Sequence, residues 1–338
     1  MQPGISSETL AGIFRLGLIF NRLAISESKQ HTVKKIYILF CEHPLQTNKV
    51  DEDFEDELYA AEENGFETIL FNFEQLTVDG DASRSIKNIK SRDCLTPVIY
   101  RGWMLTPKQY SVLYDGLLSK NFQLINTTEE YQNCHYLPDS LKFIESRTPR
   151  TVFEKFDHEN SMDRLMEKSK IFGSKAVILK DYVKSEKHDW DTACFVANAS
   201  ERNKLEQSIK SLVKLRDKYL NKGIVIREFV ELQELTIHSK SGMPLTEEYR
   251  LFFYNKKLVA IYDYWEEGEY SLQRPESKEF EEIAQKVESN FFSMDIARQK
   301  NDGKFIIIEL GDGQVAGLPD KADRKEFYRL LKSLSYSS

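Results

Sequence analysis

The stretch Phe291 to Pro319, FFSMDIARQKNDGKFIIIELGDGQVAGLP, constrains this chain more than any other. Two apolar runs, Phe291 to Ala297 and Phe305 to Leu310, flank the turn residues Asn301, Asp302 and Gly303, a pattern that predicts a β-hairpin. Pairing centred near Asp302 sets Asp295 directly opposite Glu309, with Cβ atoms roughly 5 Å apart. Two acids at that spacing repel. A Glu ionised inside FIIIEL is costly unless a cation or hydrogen-bond donor compensates it, and a shared divalent metal is the simplest compensation. The alternative is a Glu at a strand end reaching solvent beside an unrelated Asp.

At 338 residues the chain exceeds what one core usually serves, which predicts roughly two or three domains. Its formal net charge of −7 argues against a surface that coats nucleic acid, though a local basic channel fits within that balance. Four cysteines, Cys41, Cys94, Cys134 and Cys194, lack CxxC spacing and read as free thiols of a reducing compartment, the cytoplasm. No stretch reads as a membrane span. Leu10 to Ala24 is too short and is interrupted by Arg15 and Arg22. Residues 1–32 are expected to be a helical extension that docks on the body, or else a weak targeting segment.

From Lys34 the pattern is α/β. KKIYILF (Lys34 to Phe40), FETILFNF (Phe66 to Phe73) and PVIYRGW (Pro97 to Trp103) read as strands, separated by an acidic helix over Asp51 to Asn64 and followed by a helix over Pro107 to Lys120. Short connections between alternating elements predict an open, largely parallel sheet, which binds ligands beyond its strand ends. Arg101 and Trp103 stand at such an end, suited either to gripping an anion and stacking on a ring, or to a surface salt bridge and a core Trp. After Arg147, Thr148 and Pro149 the character changes. RTVFEKF and KAVILKDYV read as strands around a helix over Asn160 to Ile171, and Glu201 to Leu220 as a charged helix covering one side of a sheet. Lys180 closes the apolar run AVIL and needs a partner, a phosphate or a nearby carboxylate. Lys184 and Lys187 follow in a loop as solvated cations or a phosphate cover. GIVIREFVEL then forms a strand that turns polar at Arg227 and Glu228, EEYRLFFYNKKLVAIYDYW a second hairpin about Asn255, and Asp323 to Ser333 a closing helix.

In this order, VILK, REFVEL, EYRLF, MDIA and IIIELGDGQ resemble the ATP-grasp superfamily from about Lys34 to about Pro319. YRGW, KDYVKSEKHDW and ELGDGQVAGLP are similar to a divergent bacterial and phage branch of it. The resemblance implies α/β and α+β architecture: an N-terminal Rossmann-like (pre-ATP-grasp) domain at 33–145, then a two-subdomain ATP-grasp fold at 146–226 and 227–338. It also implies ATP and Mg²⁺ as cofactors. The implied activity is a ligase: a carboxylate is phosphorylated by ATP and the acyl phosphate captured by an amine.

Residue by residue, the resemblance implies Lys180 on the ATP phosphates, with Glu228, Phe229 and Val230 as an adenine hinge. Glu231 or Glu234 would take the ribose, Arg250 the triphosphate, and Asp295 and Glu309 the Mg²⁺. The chain departs from the family at three places. Lys184, Ser185 and Lys187 stand where a Gly-rich loop usually covers the phosphates, so the cover would rely on side-chain charge. Gly311 replaces the Asn that usually supplies a third metal ligand, leaving Asp312 or Gln314 to substitute. A further ATP lysine usually lies well before the strand after Thr-Pro, whereas Lys142 lies close to Thr148. A phosphotransferase acting on a hydroxyl and a non-catalytic nucleotide-binding regulator are the alternatives. A covalent Lys180 nucleotidyltransferase is disfavoured because KDYV lacks the Gly of KxDG. Arg101, Trp103, Lys187 and His188 leave the acceptor open among a small molecule, a peptide terminus and an RNA end.

Overall fold

The computed structural model describes residues 35–240 and 242–335, so the helix expected within residues 1–32 lies outside the described residues. The first sheet comprises β1 (Tyr37–Cys41), β2 (Glu67–Phe71), β3 (Thr96–Arg101) and β4 (Phe122–Leu124), in the order β2-β1-β3-β4 and parallel throughout. Every residue of β1 is buried, as a central parallel strand with covered faces requires. Helices Glu55–Glu63 and Pro107–Leu118 make two of the crossovers, the second opened by a capping box between Thr106 and Gln109. This is the Rossmann-like unit that the alternating pattern predicts.

The second sheet is antiparallel: β5 (Thr151–Lys155), β6 (Val177–Asp181), β7 (Phe195–Val196) and β8 (Gly223–Glu228) run in the order β5-β8-β6-β7. Helix Arg202–Arg216 buries Leu205, Ile209 and Leu212 against Val177, Leu179, Ile224 and Ile226, and leaves its charged face in water. A short pair, β9 (Glu234–Ile237) and β10 (Pro244–Thr246), leads to the third sheet. That sheet joins β11 (Glu248–Tyr254), β12 (Lys257–Asp263), β13 (Phe291–Arg298) and β14 (Phe305–Asp312) in the order β12-β11-β13-β14. Asn255 and Lys256 both take positive φ, the conformation a tight hairpin turn demands.

The third sheet is packed on both faces. One face carries Leu251, Phe253, Phe292 and Met294 against Phe280 and Ile283 of helix Ser277–Ala284 and against Phe143 and Ile144 of helix Leu137–Ile144. The other carries Phe252 and Phe291 against Phe327, Tyr328 and Leu331 of helix Arg324–Ser335, which also meets Ile38 and Phe40 of β1. The closing helix therefore ties the first sheet to the third. No helix among the described residues is long and apolar enough to cross a membrane.

Candidate active site

The β13–β14 hairpin forms in the expected register, and Asp295 faces Glu309 across it, with a bulge beginning at the next pair. On the other side of β13, Arg250 of β11 is the direct partner of Asp295. Arg250 grips Asp295 with two parallel hydrogen bonds of 2.8 Å, donates a third to the Gly317 carbonyl at 3.0 Å, and stacks 4.7 Å from the Tyr264 ring centre. Lys180 reaches over from β6 of the second sheet and donates to Glu309 at 2.8 Å. Each acid thus has its own cation. A cation is one of the compensations that an acid inside FIIIEL is expected to need.

Burial pushes Glu309 upward, but Lys180, then Arg227 and Arg250, outweigh it and hold the carboxyl at about 2. Asp295 is instead raised, because burial outweighs the opposing pull of Arg250 and the Glu309 charge adds to it. Arg227, which the apolar setting of GIVIRE flags without assigning, is buried in β8 and donates to the Ile307 and Ile308 carbonyls and to the Thr148 hydroxyl. It pins the bulged part of β14 to the second sheet. Its Nε has no partner, and burial lowers its pKa to about 10.

Several expected site residues are occupied elsewhere. Asp312 lies three positions beyond Glu309 on β14, which puts it on the opposite face of the strand. It is buried and accepts hydrogen bonds from Asn126 at 2.6 Å and from the Gln314 backbone and side chain, so it does not join Asp295 and Glu309 as a ligand. Gln314 is spent on Tyr100, Tyr110 and Asp312. Lys142 is an exposed residue paired with Glu288 at 2.8 Å, outside the cavity described below. Arg101 is 1 % exposed. It holds Glu57 bidentately at 2.9 Å and donates to the Gly313 and Ala316 carbonyls, so it clamps the GDGQVAG segment to the first sheet and is not free to grip a ligand anion. Trp103 is exposed and donates to Asp51.

The expected hinge is narrowed in the same way. The Glu228 and Phe229 N–H groups already bond the Arg150 and Ala176 carbonyls, and the Glu228 carboxylate is paired with Lys175 and Arg150. Val230 is the residue of this segment whose N–H has no backbone partner among the described residues. Beside it, Phe229 packs edge-on to Phe195, which stacks on Trp190, an aromatic wall against which a planar ring can lie. Glu234 is paired with Lys300 at 2.8 Å, whereas the exposed Glu231 carboxylate has no ion pair among the described residues.

One cavity of about 280 Å³ collects the remainder. Arg250, Asp295 and Glu309 line it, together with Tyr264, Ser293 and Gly311. His135 and Lys184 line it as well. The two loop lysines part company here. Lys184 is at this cavity, while Lys187 sits near enough to Glu248 and Cys194 to act on both electrostatically. Asp181, fully buried and held by Arg216 and Asn221, accepts from the Val183 and Lys184 N–H groups and fixes the start of this loop. Ser293 is the residue the sequence reading missed. It pairs with Gly311 in register on the same face as Asp295, and a Cβ at position 311 would stand 2.6 Å from its hydroxyl oxygen. A side chain at 311 would make the Ser293 hydroxyl turn away. Among the described residues, no cluster of three or more His, Cys, Asp or Glu side chains is able to hold a metal ion.

Residues 172–331 match a family described as an ATP-grasp domain, the third family of one clade of the superfamily. Comparison with curated proteins finds no match. Among solved structures, the chain is similar to D-cycloserine synthetase DcsG at 13 % identity and a TM-score of 0.55, over 88 % of this chain and 99 % of that one. It is similar to the ATP-grasp ligase PsnB, solved with a minimal precursor, Mg and ADP, at 10 % identity and a TM-score of 0.52, over 90 % and 98 % of the two chains. A third likeness is to D-alanine–D-alanine ligase from Bacillus anthracis complexed with ATP, at 14 % identity and a TM-score of 0.52, over 88 % and 94 %. At these identities the likeness establishes the fold. Residues 172–331 thus match an ATP-grasp domain, and the chain shares the fold of the ATP-grasp structures it is similar to.

Proposed function

We propose that the chain is an ATP- and Mg²⁺-dependent ligase that joins a carboxylate to an amine. The observation that carries this reading is the meeting of Lys180 from the second sheet with Arg250, Asp295 and Glu309 from the third at one cavity edge. The residues fit the metal. Mg²⁺ is held by one or two carboxylates, keeps several waters and takes phosphate oxygens. Asp295 and Glu309 supply the carboxylates, and Glu309 Oε1 has no partner among the described residues. Ser293, on the same face, adds a hydroxyl where Gly311 removes the usual side chain. When bound, the ion would neutralise charge on the transferring phosphoryl group.

The chain's own groups do the rest. Lys180 and Arg250 are cations already directed at this edge, and an arriving triphosphate offers each an anionic partner of the same kind as the carboxylate it now holds. The aromatic wall of Phe195 and Phe229 with the Val230 N–H suits an adenine ring, and the Glu231 carboxylate suits the ribose hydroxyls. The test is release of ADP from Mg·ATP in the presence of pools of amino acids and short peptides, with products resolved by mass spectrometry. A condensed amide with one ADP released per bond is the expected product. A phosphorylated hydroxyl supports the phosphotransferase instead, and failure to bind Mg·ATP in a calorimetric titration overturns both.

A further inference from the structure

Resting on that ligase reading, we infer that the wall of the cavity formed by His135 and Lys184 is an anion subsite that anchors the carboxylate of a small acceptor. Its reactive end would lie toward Asp295 and Glu309. His135 closes helix Thr128–His135 and is 7 % exposed, yet neither ring nitrogen has a hydrogen-bond partner among the described residues. Its ring nitrogens are open to the cavity that His135 lines, so the imidazole can hydrogen-bond a molecule that enters there. The ring is held in place by stacking on Tyr131 at 5.2 Å and by edge contact with Tyr136 at 5.0 Å, which fixes its plane.

The charge around the ring selects an anion. Burial first, and then the nearby Lys184 and Lys222 ammoniums, lower the imidazole to about 4, so at neutral pH it is an uncharged donor and acceptor. Lys184 stands exposed at the rim with no ion-pair partner among the described residues. The one acid felt by His135, Asp181, is consumed by Arg216, Asn221 and the loop backbone. Asp312 is likewise held by Asn126 and Gln314. A carboxylate at this wall would therefore meet one ammonium and one neutral N–H, while the other acids of the cavity, Glu309 and Asp295, are paired with Lys180 and Arg250. The volume of about 280 Å³ lies at the small end for ligand pockets, which fits a molecule of amino-acid size or a peptide C-terminus and leaves no room for a folded partner.

The experiment uses the full chain without nucleotide, titrated with glycine, D- and L-alanine, Gly-Gly and glycinamide by saturation-transfer NMR, and separately with Mg·ATP by calorimetry. Glycine or alanine binding identifies a free amino acid, Gly-Gly binding a peptide C-terminus, and glycinamide should not bind. Lys184→Ala, at an exposed position that does not threaten the fold, should weaken the carboxylate probes about tenfold or more in the nucleotide-free protein. His135→Gln, which keeps a donor, should retain part of the binding that His135→Phe abolishes, with thermal melts confirming that each variant folds. The subsite is overturned if no carboxylate probe binds, if glycinamide binds equally, or if Lys184→Ala weakens ATP and spares the probes. Wild type that binds the probes but not Mg·ATP sinks the ligase reading and leaves the subsite standing.

Discussion

Asp295→Asn keeps the shape of the side chain and removes its charge, which leaves the Arg250 guanidinium buried against a neutral amide. The Arg250 and Asp295 side chains are 18 % and 6 % exposed, so solvent screens the pair little. Breaking a buried pair from one side costs about 3–5 kcal/mol, because the remaining charge is uncompensated. Arg250 keeps the Gly317 carbonyl and the Tyr264 ring, which sets the expectation at the lower end, about 3 kcal/mol. At roughly 2–4 °C per kcal/mol, that lowers Tm by roughly 6–12 °C. Glu309→Gln is the internal control. Glu309 is 36 % exposed and Lys180 11 %, so the loss there should be nearer about 1 kcal/mol. Both variants and wild type are melted in EDTA and followed by circular dichroism. Asp295→Asn melting with or above wild type refutes the reasoning, since it means that repulsion between the carboxylates outweighs the Arg250 pair; Glu309→Gln melting first refutes the ranking of the two pairs by exposure.

Lys180→Met keeps the apolar stem and should weaken ATP binding by about 1.5–3 kcal/mol in a calorimetric titration, and unchanged affinity removes Lys180 from the nucleotide site. Ser293→Ala should weaken Mn²⁺ binding to the ADP-loaded protein, read by electron paramagnetic resonance, while ADP binding in EDTA stays the same; equal Mn²⁺ affinity excludes the hydroxyl as a ligand. Burial, against hydrogen bonds from Asn126 and Gln314, lifts Asp312 to about 7. Its folded value exceeds the unfolded one, so its contribution to stability is full below about pH 4 and is lost as pH rises through about 7. A carboxyl-carbon NMR titration of Asp312 with a midpoint below about pH 5 contradicts this.

The hairpin register was legible because two local signals agree: the turn at Asn301 to Gly303 and the period of apolar residues on either side. The cation partners were not, since Arg250 meets Asp295 and Lys180 meets Glu309 through pairings between segments far apart in the chain. Local pattern says that EYRLF is a strand without saying beside which strand it lies. Arg101 misleads for the same reason, because Glu57 and the Gly313 carbonyl that occupy it arrive from two other elements. Asp312 is different. An odd separation from Glu309 within one strand already puts the two on opposite faces, so parity alone argued against shared ligation. Lys142 rested on the family resemblance alone, with its short spacing to Thr148 already against it. His135 left no trace, as an imidazole in a polar helix segment shows its cavity only once the helix is packed.

The four central groups carry two charges of each sign, and their pairing explains how a site built to bind a highly charged ligand stays folded without one. Lys180 and Glu309 belong to different sheets, so their contact holds the sheets together across the cleft edge. Glu309, kept near 2 by Lys180, Arg227 and Arg250, is ionised at any working pH. On the ligase reading, Lys180 can turn to a phosphate oxygen only if Glu309 gains another cation, and Glu309 can give up Lys180 only if the ammonium gains another anion. Neither exchange is favourable alone. Nucleotide and metal binding must then be coupled through this pair, and reciprocally so. Arg227 bears on the same balance. Its Nε has no partner and its charge lies close enough to help hold Glu309 ionised, so it steadies Glu309 while the partners change. Arg250, by contrast, is bidentate on Asp295 within one sheet and has no cleft to cross. The pair that links the two sheets is thus Lys180–Glu309, and the pair internal to the third sheet is Arg250–Asp295.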